Sequence, residues 1–131
     1  MSQENVELFR EGAEAIGRGD VEAVLDAVSE DIVWIAARSA VEGAYHGREG
    51  MRRFLADNAE NFELFEPHFE ELRDLGDRVL GIGRFRIRAR GSGVETDFPV
   101  AGIATYREGK LVKWEDFRER HLALEAAGLR E

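Results

Sequence analysis

The chain has 131 residues, 44% of them hydrophobic and 34% charged, enough for one domain with one core and a well-solvated surface. Its 27 acidic and 18 basic residues leave a net charge of −9, without the basic footprint that phosphate contacts demand, so no nucleic-acid partner is expected. It has no cysteine, which excludes disulfides and thiolate metal sites, and it shows neither a secretory h-region nor an apolar run of the ~20 residues a membrane span needs, so a cytoplasmic protein is expected.

Ser2 can cap a helix, acidic Glu4 suits its first turn, and Val6, Phe9, Ala13 and Ile16 recur at helical spacing. Gly17-Arg18-Gly19 ends that helix, and Asp20 caps a second one with the stripe Val21, Val24, Leu25 and Val28. Ile32-Val33-Trp34-Ile35 is β-branched and aromatic and reads as a strand. A polar, glycine-bearing segment leads to Tyr45-His46-Gly47, and Met51, Phe54, Leu55 and Asn58 mark a third helix. From Phe65 the period changes to two, which predicts strands over 65–75, 79–89, 94–106 and 111–118, joined by Gly76-Asp77-Arg78, Gly91-Ser92-Gly93 and Glu108-Gly109. The tail from Leu122 to Gly128 reads as a short helix or turn.

The order α-α-β-α-β-β-β-β, with helices early and strands late, predicts an α+β fold in one domain over 1–131. Three N-terminal helices pack on a curved, mainly antiparallel sheet, and the open mouth of such a cone suits a small ligand.

Several motifs in this order resemble one family. Arg18-Gly19-Asp20 followed by Asp31, then Tyr45-His46-Gly47-Arg48-Glu49-Gly50, Gly109-Lys110-Leu111-Val112 and Leu124-Glu125-Ala126-Ala127-Gly128-Leu129 are similar to the SnoaL-like branch of the nuclear transport factor 2-like superfamily. The resemblance spans nearly the whole chain and implies a cystatin-like cone with one small-molecule pocket, and a homodimer formed through the outer sheet face. The family includes polyketide cyclases, ketosteroid isomerases, epoxide hydrolases, dehydratases and non-catalytic members, so the fold alone does not settle function.

Position by position, the isomerase chemistry is missing. The resemblance places its general-base Asp at Ala36, its helix Tyr at Gly12 and its oxyanion Asp at Ala104. The epoxide hydrolase arrangement needs an Arg-x-Asp pair that the strand over 94–106 lacks, and Glu119 stands at its closing Asp position. The cyclase branch moves a proton with one pocket acid. Strand parity puts Trp114, Asp116 and Arg118 on one face, the pocket face by the resemblance, which makes Asp116 the leading catalytic candidate. Burial beside Trp114 would disfavour its charged form; the competing reading is an ion pair with an arginine that orders the sheet.

His46 is the second catalytic candidate, since histidine transfers protons near neutral pH; the plainer reading is a packed or capping ring before the third helix. Trp34, Phe54, Phe98, Tyr106 and Trp114, with Arg118, are candidate ligand-binding residues that would favour a flat, largely apolar carbonyl compound. His68 and His121 read as surface residues, no histidine pair has metal-ligand spacing, and no metal or cofactor is expected. Arg84, Arg86, Arg88 and Arg90 share one sheet face, opposite Phe85, Ile87 and Ala89. They lie either outside, paired with acids such as Glu70 or Glu95, or inside, as an anion site. Two functions remain open: a cyclase-, isomerase- or dehydratase-type enzyme using Asp116, and a non-catalytic binding or dimerisation domain.

Overall fold

Alternating polarity from Phe62 onward builds a sheet with two different faces. The computed structural model describes residues 2–36 and 44–129. In chain order it contains α1 (Ser2–Arg18), α2 (Val21–Ala27), β1 (Val28–Ile35), β2 (Tyr45–His46), α3 (Gly47–Asn61), β3 (Phe62–Asp74), β4 (Arg78–Ala89), β5 (Glu95–Arg107), β6 (Lys110–Phe117) and α4 (Arg120–Ala126). The six strands form one open, curved sheet in the order β2-β1-β6-β5-β4-β3. β1 runs parallel to β6, and every other neighbouring pair is antiparallel.

The expected α+β cone is present, with two additions. β2 is only two residues long, too short to show a period, and it pairs His46 with Val33. The tail forms α4. The polar segment expected after the first strand lies largely outside the described residues.

Local chemistry explains the boundaries. Gly19, at φ 69°, closes α1 with bonds from its own N–H to Ile16 O and from the Asp20 N–H to Ala15 O. Asp20 then caps α2, its carboxylate accepting from the Ala23 N–H at 3.1 Å. β3 is an edge strand, which is where Pro67 can sit without removing a needed ladder donor.

The inner face of the sheet carries the main core, in which Phe9, Leu25 and Phe54 of the helices pack against Val79, Phe85 and Trp114. The outer face carries a smaller one. There Leu80, Ala101 and Ile103 are covered by Ala123 and Leu124 of α4 and by Ala127. Burial of Phe85 inside sends Arg84, Arg86 and Arg88 outside, where they take the paired alternative; Arg90 lies beyond the end of β4, off the shared face, and donates to the Ala59 backbone oxygen at 2.6 Å. Arg84 meets Glu70 at 3.3 Å, while Arg86 and Arg88 meet Glu95 at 3.0 and 3.4 Å. The hydrogen bond from Arg86, and then the charge of Arg88, hold the Glu95 carboxyl below its usual range. Asp97 pairs with Arg86 across the ladder, on this same outer face. No helix among the described residues is long and apolar enough to cross a membrane.

At Gly83 the β4 backbone lies directly against β3, beside the irregularity between Phe69 and Glu71. A Cβ there would fall 2.0 Å from the backbone oxygen of His68, which cannot move aside as a side chain can. Gly83→Ala is therefore expected to destabilise the protein by about 3 kcal/mol, the upper range of overpacking, in urea denaturation. An unchanged midpoint would mean that the two strands separate freely there.

Candidate functional site

β1 and β6 lie side by side, with Trp34 opposite Trp114 in the register. Alternation turns both toward the inner face, where the rings sit 5.6 Å apart. Phe54 of α3 packs on Trp34 at 4.9 Å, Phe9 of α1 on Trp114 at 5.8 Å, and Phe65 meets Phe85 across β3 and β4 at 5.0 Å. Such pairs contribute ~0.5–1.5 kcal/mol each beyond area burial, so the cluster holds the cone in one shape.

Two cavities open among these rings. The inner one, of about 70 Å³, lies beneath α1 and α2, with Gly12, Val28, Ala104, Tyr106 and Trp114 in its wall. The outer one, of about 180 Å³, is lined by Ala36, Phe54, Phe98 and Asp116. Trp34, Phe65 and Phe85 belong to both walls.

Asp116 is the one charged side chain in the outer lining among the described residues. It sits across the ladder from Gly102, as Trp114 sits across from Ala104. The Trp114 indole N–H donates to Asp116 Oδ1 at 2.5 Å. A Cβ on Gly102 would fall 2.4 Å from the indole ring, so the bare glycine gives that ring its seat. The seated ring in turn aims the carboxylate. In this arrangement the carboxylate oxygen is an acceptor, the role a general base needs.

The positions that the resemblance gives to the isomerase groups stand on these same walls. Gly12 and Ala104 line the inner cavity and Ala36 the outer one. None of these three positions carries an acid or a phenol.

Of the candidate residues, Trp34, Tyr106 and Trp114 line the inner cavity, and Trp34, Phe54, Phe98 and Asp116 the outer one. Phe98 is 36% exposed and packs on Phe85 at 5.4 Å. Two candidates fall outside. β6 ends at Phe117, so its alternation does not carry Arg118 onto the pocket face, and Arg118 is exposed in the bend before α4. His46 is exposed as well, because Tyr45 takes the inward position of β2. His46 stands at the N-cap of α3 and makes no side-chain capping bond. Asp116 and His46 therefore do not converge on one cavity.

Tyr45 had no signal in the strand pattern. It packs on Phe54 at 5.4 Å, and its hydroxyl donates to Asp57 Oδ2 at 3.2 Å. Phe85 was signalled by its alternation with Arg84 and Arg86, whereas Phe65 gains its place only through the fold. Among the described residues no group of three or more His, Cys, Asp or Glu is placed to hold a metal ion.

Comparison with known proteins agrees with this fold. The family model for a SnoaL-like domain matches residues 9–114. Among functionally curated proteins, none matches this sequence. The fold is similar to that of an NTF2-like protein from Burkholderia pseudomallei, with a TM-score of 0.78, 23% identity and coverage of 98% of each chain. It is similar to TerC, co-crystallised with polyporic acid, with a TM-score of 0.77, 21% identity and coverage of 95% of this chain and 98% of TerC. It is also similar to a candidate polyketide cyclase from Xanthomonas campestris, with a TM-score of 0.76, 17% identity and coverage of 96% and 98%.

The Tyr106 phenol is 9% exposed, and burial pushes its ionisation above the usual value of about 10. The folded state thus keeps its proton longer than the unfolded chain does. The resulting stabilisation is complete below about pH 10 and declines as the pH rises above it. Urea midpoints measured from pH 8 to 11 should fall more steeply for the wild type than for Tyr106→Phe. Parallel slopes would show that the phenol titrates alike in both states.

Proposed function

Because the chain belongs to the SnoaL-like domain family, we propose that its cone holds a small, flat, largely apolar carbonyl compound and that Asp116 moves a proton on it. One observation carries this reading: among the described residues, the outer cavity is apolar but for the Asp116 carboxylate, which accepts from the Trp114 indole N–H. A carboxylate so placed can take a proton from the carbon next to a carbonyl and return it at another position. That step serves cyclisation, isomerisation and dehydration alike. General-base catalysis of this kind contributes about 10²- to 10⁴-fold in rate. His46 and Arg118, both exposed, have no part in the step.

TerC shares this fold and was co-crystallised with polyporic acid, which makes polyporic acid the first ligand to try in a thermal-shift screen. With an enolisable ligand found by that screen, Asp116→Asn should lower turnover by about 10²- to 10⁴-fold and leave binding within a few-fold. Equal turnover in the two proteins would remove Asp116 from the mechanism.

A second reading, binding without catalysis, is favoured by the small residues Gly12, Ala36 and Ala104 on the cavity walls. It predicts ligand-dependent stabilisation in both proteins and turnover in neither.

Either reading includes a homodimer through the outer sheet face. Because α4 already covers Leu80, Ala101 and Ile103, this interface uses the charged strip around Arg84, Arg86 and Glu95. Light scattering at micromolar concentration should give twice the mass of one chain, with the dimer fraction falling as salt is raised. A monomer at low salt would contradict it.

A further inference from the structure

We infer that the outer cavity is an aromatic cage for a small methylated ammonium ion, with Asp116 as its counter-charge. This goes beyond the carbonyl reading and does not rest on it, because it assigns the cavity a ligand of another class. Five rings line the cavity together with Ala36 and Asp116. They form a continuous arc: Trp34 packs on Phe54 at 4.9 Å, Phe54 on Phe65 at 6.4 Å, Phe65 on Phe85 at 5.0 Å and Phe85 on Phe98 at 5.4 Å. Trp34 also meets Trp114 at 5.6 Å, and the Trp114 N–H donates to Asp116, so the carboxylate joins the arc at its Trp34 end.

Shape and size both favour a compact ligand. Phe54 and Phe65 stand at 88° to each other and Phe85 and Phe98 at 67°, so the walls turn around the space and a flat ligand stacks on only some of them. A near-spherical ion has no preferred plane. The volume of about 180 Å³ is below the ~300 Å³ of an ordinary ligand site and close to the ~150 Å³ of an apolar cavity that holds one benzene. A trimethylammonium ion, with fewer heavy atoms than benzene, fits it.

Charge selects a cation. An aromatic ring has a negative face that attracts cations within about 6 Å of its centre, more strongly where water is excluded. Asp116, the one charged group in the lining among the described residues, adds an opposite charge and repels anions. The lining offers one strong acceptor group, so a primary ammonium would bury some of its N–H donors unpaired. Trimethylammonium brings a single donor for the carboxylate, and its methyl groups meet the rings. Phe98 is 36% exposed and Asp116 half-buried, so the cavity is reached from solvent on this side. The net charge of −9 draws cations toward the chain.

Calorimetric titration at neutral pH tests the assignment with trimethylammonium chloride, methylammonium chloride and tert-butanol, at one ionic strength set with sodium chloride. The alcohol resembles trimethylammonium in shape and lacks its charge. Trimethylammonium should bind the wild type about tenfold more tightly than either of the others, or better. Asp116→Asn should weaken it about tenfold, and Phe98→Leu, at a partly exposed position, about threefold. Trimethylammonium binding no tighter than the alcohol would overturn the cage, as would equal affinity in the wild type and both variants. Either failure leaves the carbonyl reading standing, since turnover by Asp116 is measured separately.

Discussion

The contact between the Trp114 indole and the bare backbone of Gly102 holds the floor of the cone together. The indole occupies the space that any side chain at position 102 would take. From there it reaches Phe9 of α1, Phe69 of β3 and Trp34 of β1, so one ring ties helix and strands to a common floor. Truncating a buried tryptophan costs ~3–5 kcal/mol, whereas one hydrogen bond to a charged group is worth ~1.5–3 kcal/mol. Packing therefore keeps the ring in place, and the N–H to Asp116 follows from that placement.

This ordering separates the pocket from its chemistry. Small residues at 12, 36 and 104 do not collapse the cone, because the aromatic cluster and not those positions holds the walls apart. A cone of this kind can lose one set of polar groups and keep its ligand site, which is how one fold comes to host unrelated activities. What remains here is a carboxylate in one compartment and a phenol in the other, on opposite sides of the Trp34, Phe65 and Phe85 walls.

Much of this was legible in the sequence where a period ran long enough to read. The alternation of Phe85 with Arg84 and Arg86 specifies which way β4 faces, and the glutamates that meet those arginines stand on the neighbouring strands. Trp114 and Asp116 follow from the same parity. The reading fails where a strand stops. Arg118 has the right parity but lies one residue beyond the end of β6. His46 and Tyr45 form a strand of two residues, with no pattern to say which one faces inward. The outer core under α4 was also hidden, because the Ala- and Leu-rich tail could equally be a turn until Leu80, Ala101 and Ile103 are seen to need a cover. The division of the pocket into two compartments depends on three rings from three strands, and no local pattern encodes that.

The chain contains two tryptophans, and both stand in the cavity walls, 5.6 Å apart. All of the protein's indole emission thus originates at the site. Trp34 faces both compartments, and Trp114 is bonded to the carboxylate itself. A molecule entering either compartment changes the surroundings of at least one emitter, with no silent background from elsewhere in the chain. The protein carries its own optical reporter, placed by the same packing that shapes the pocket.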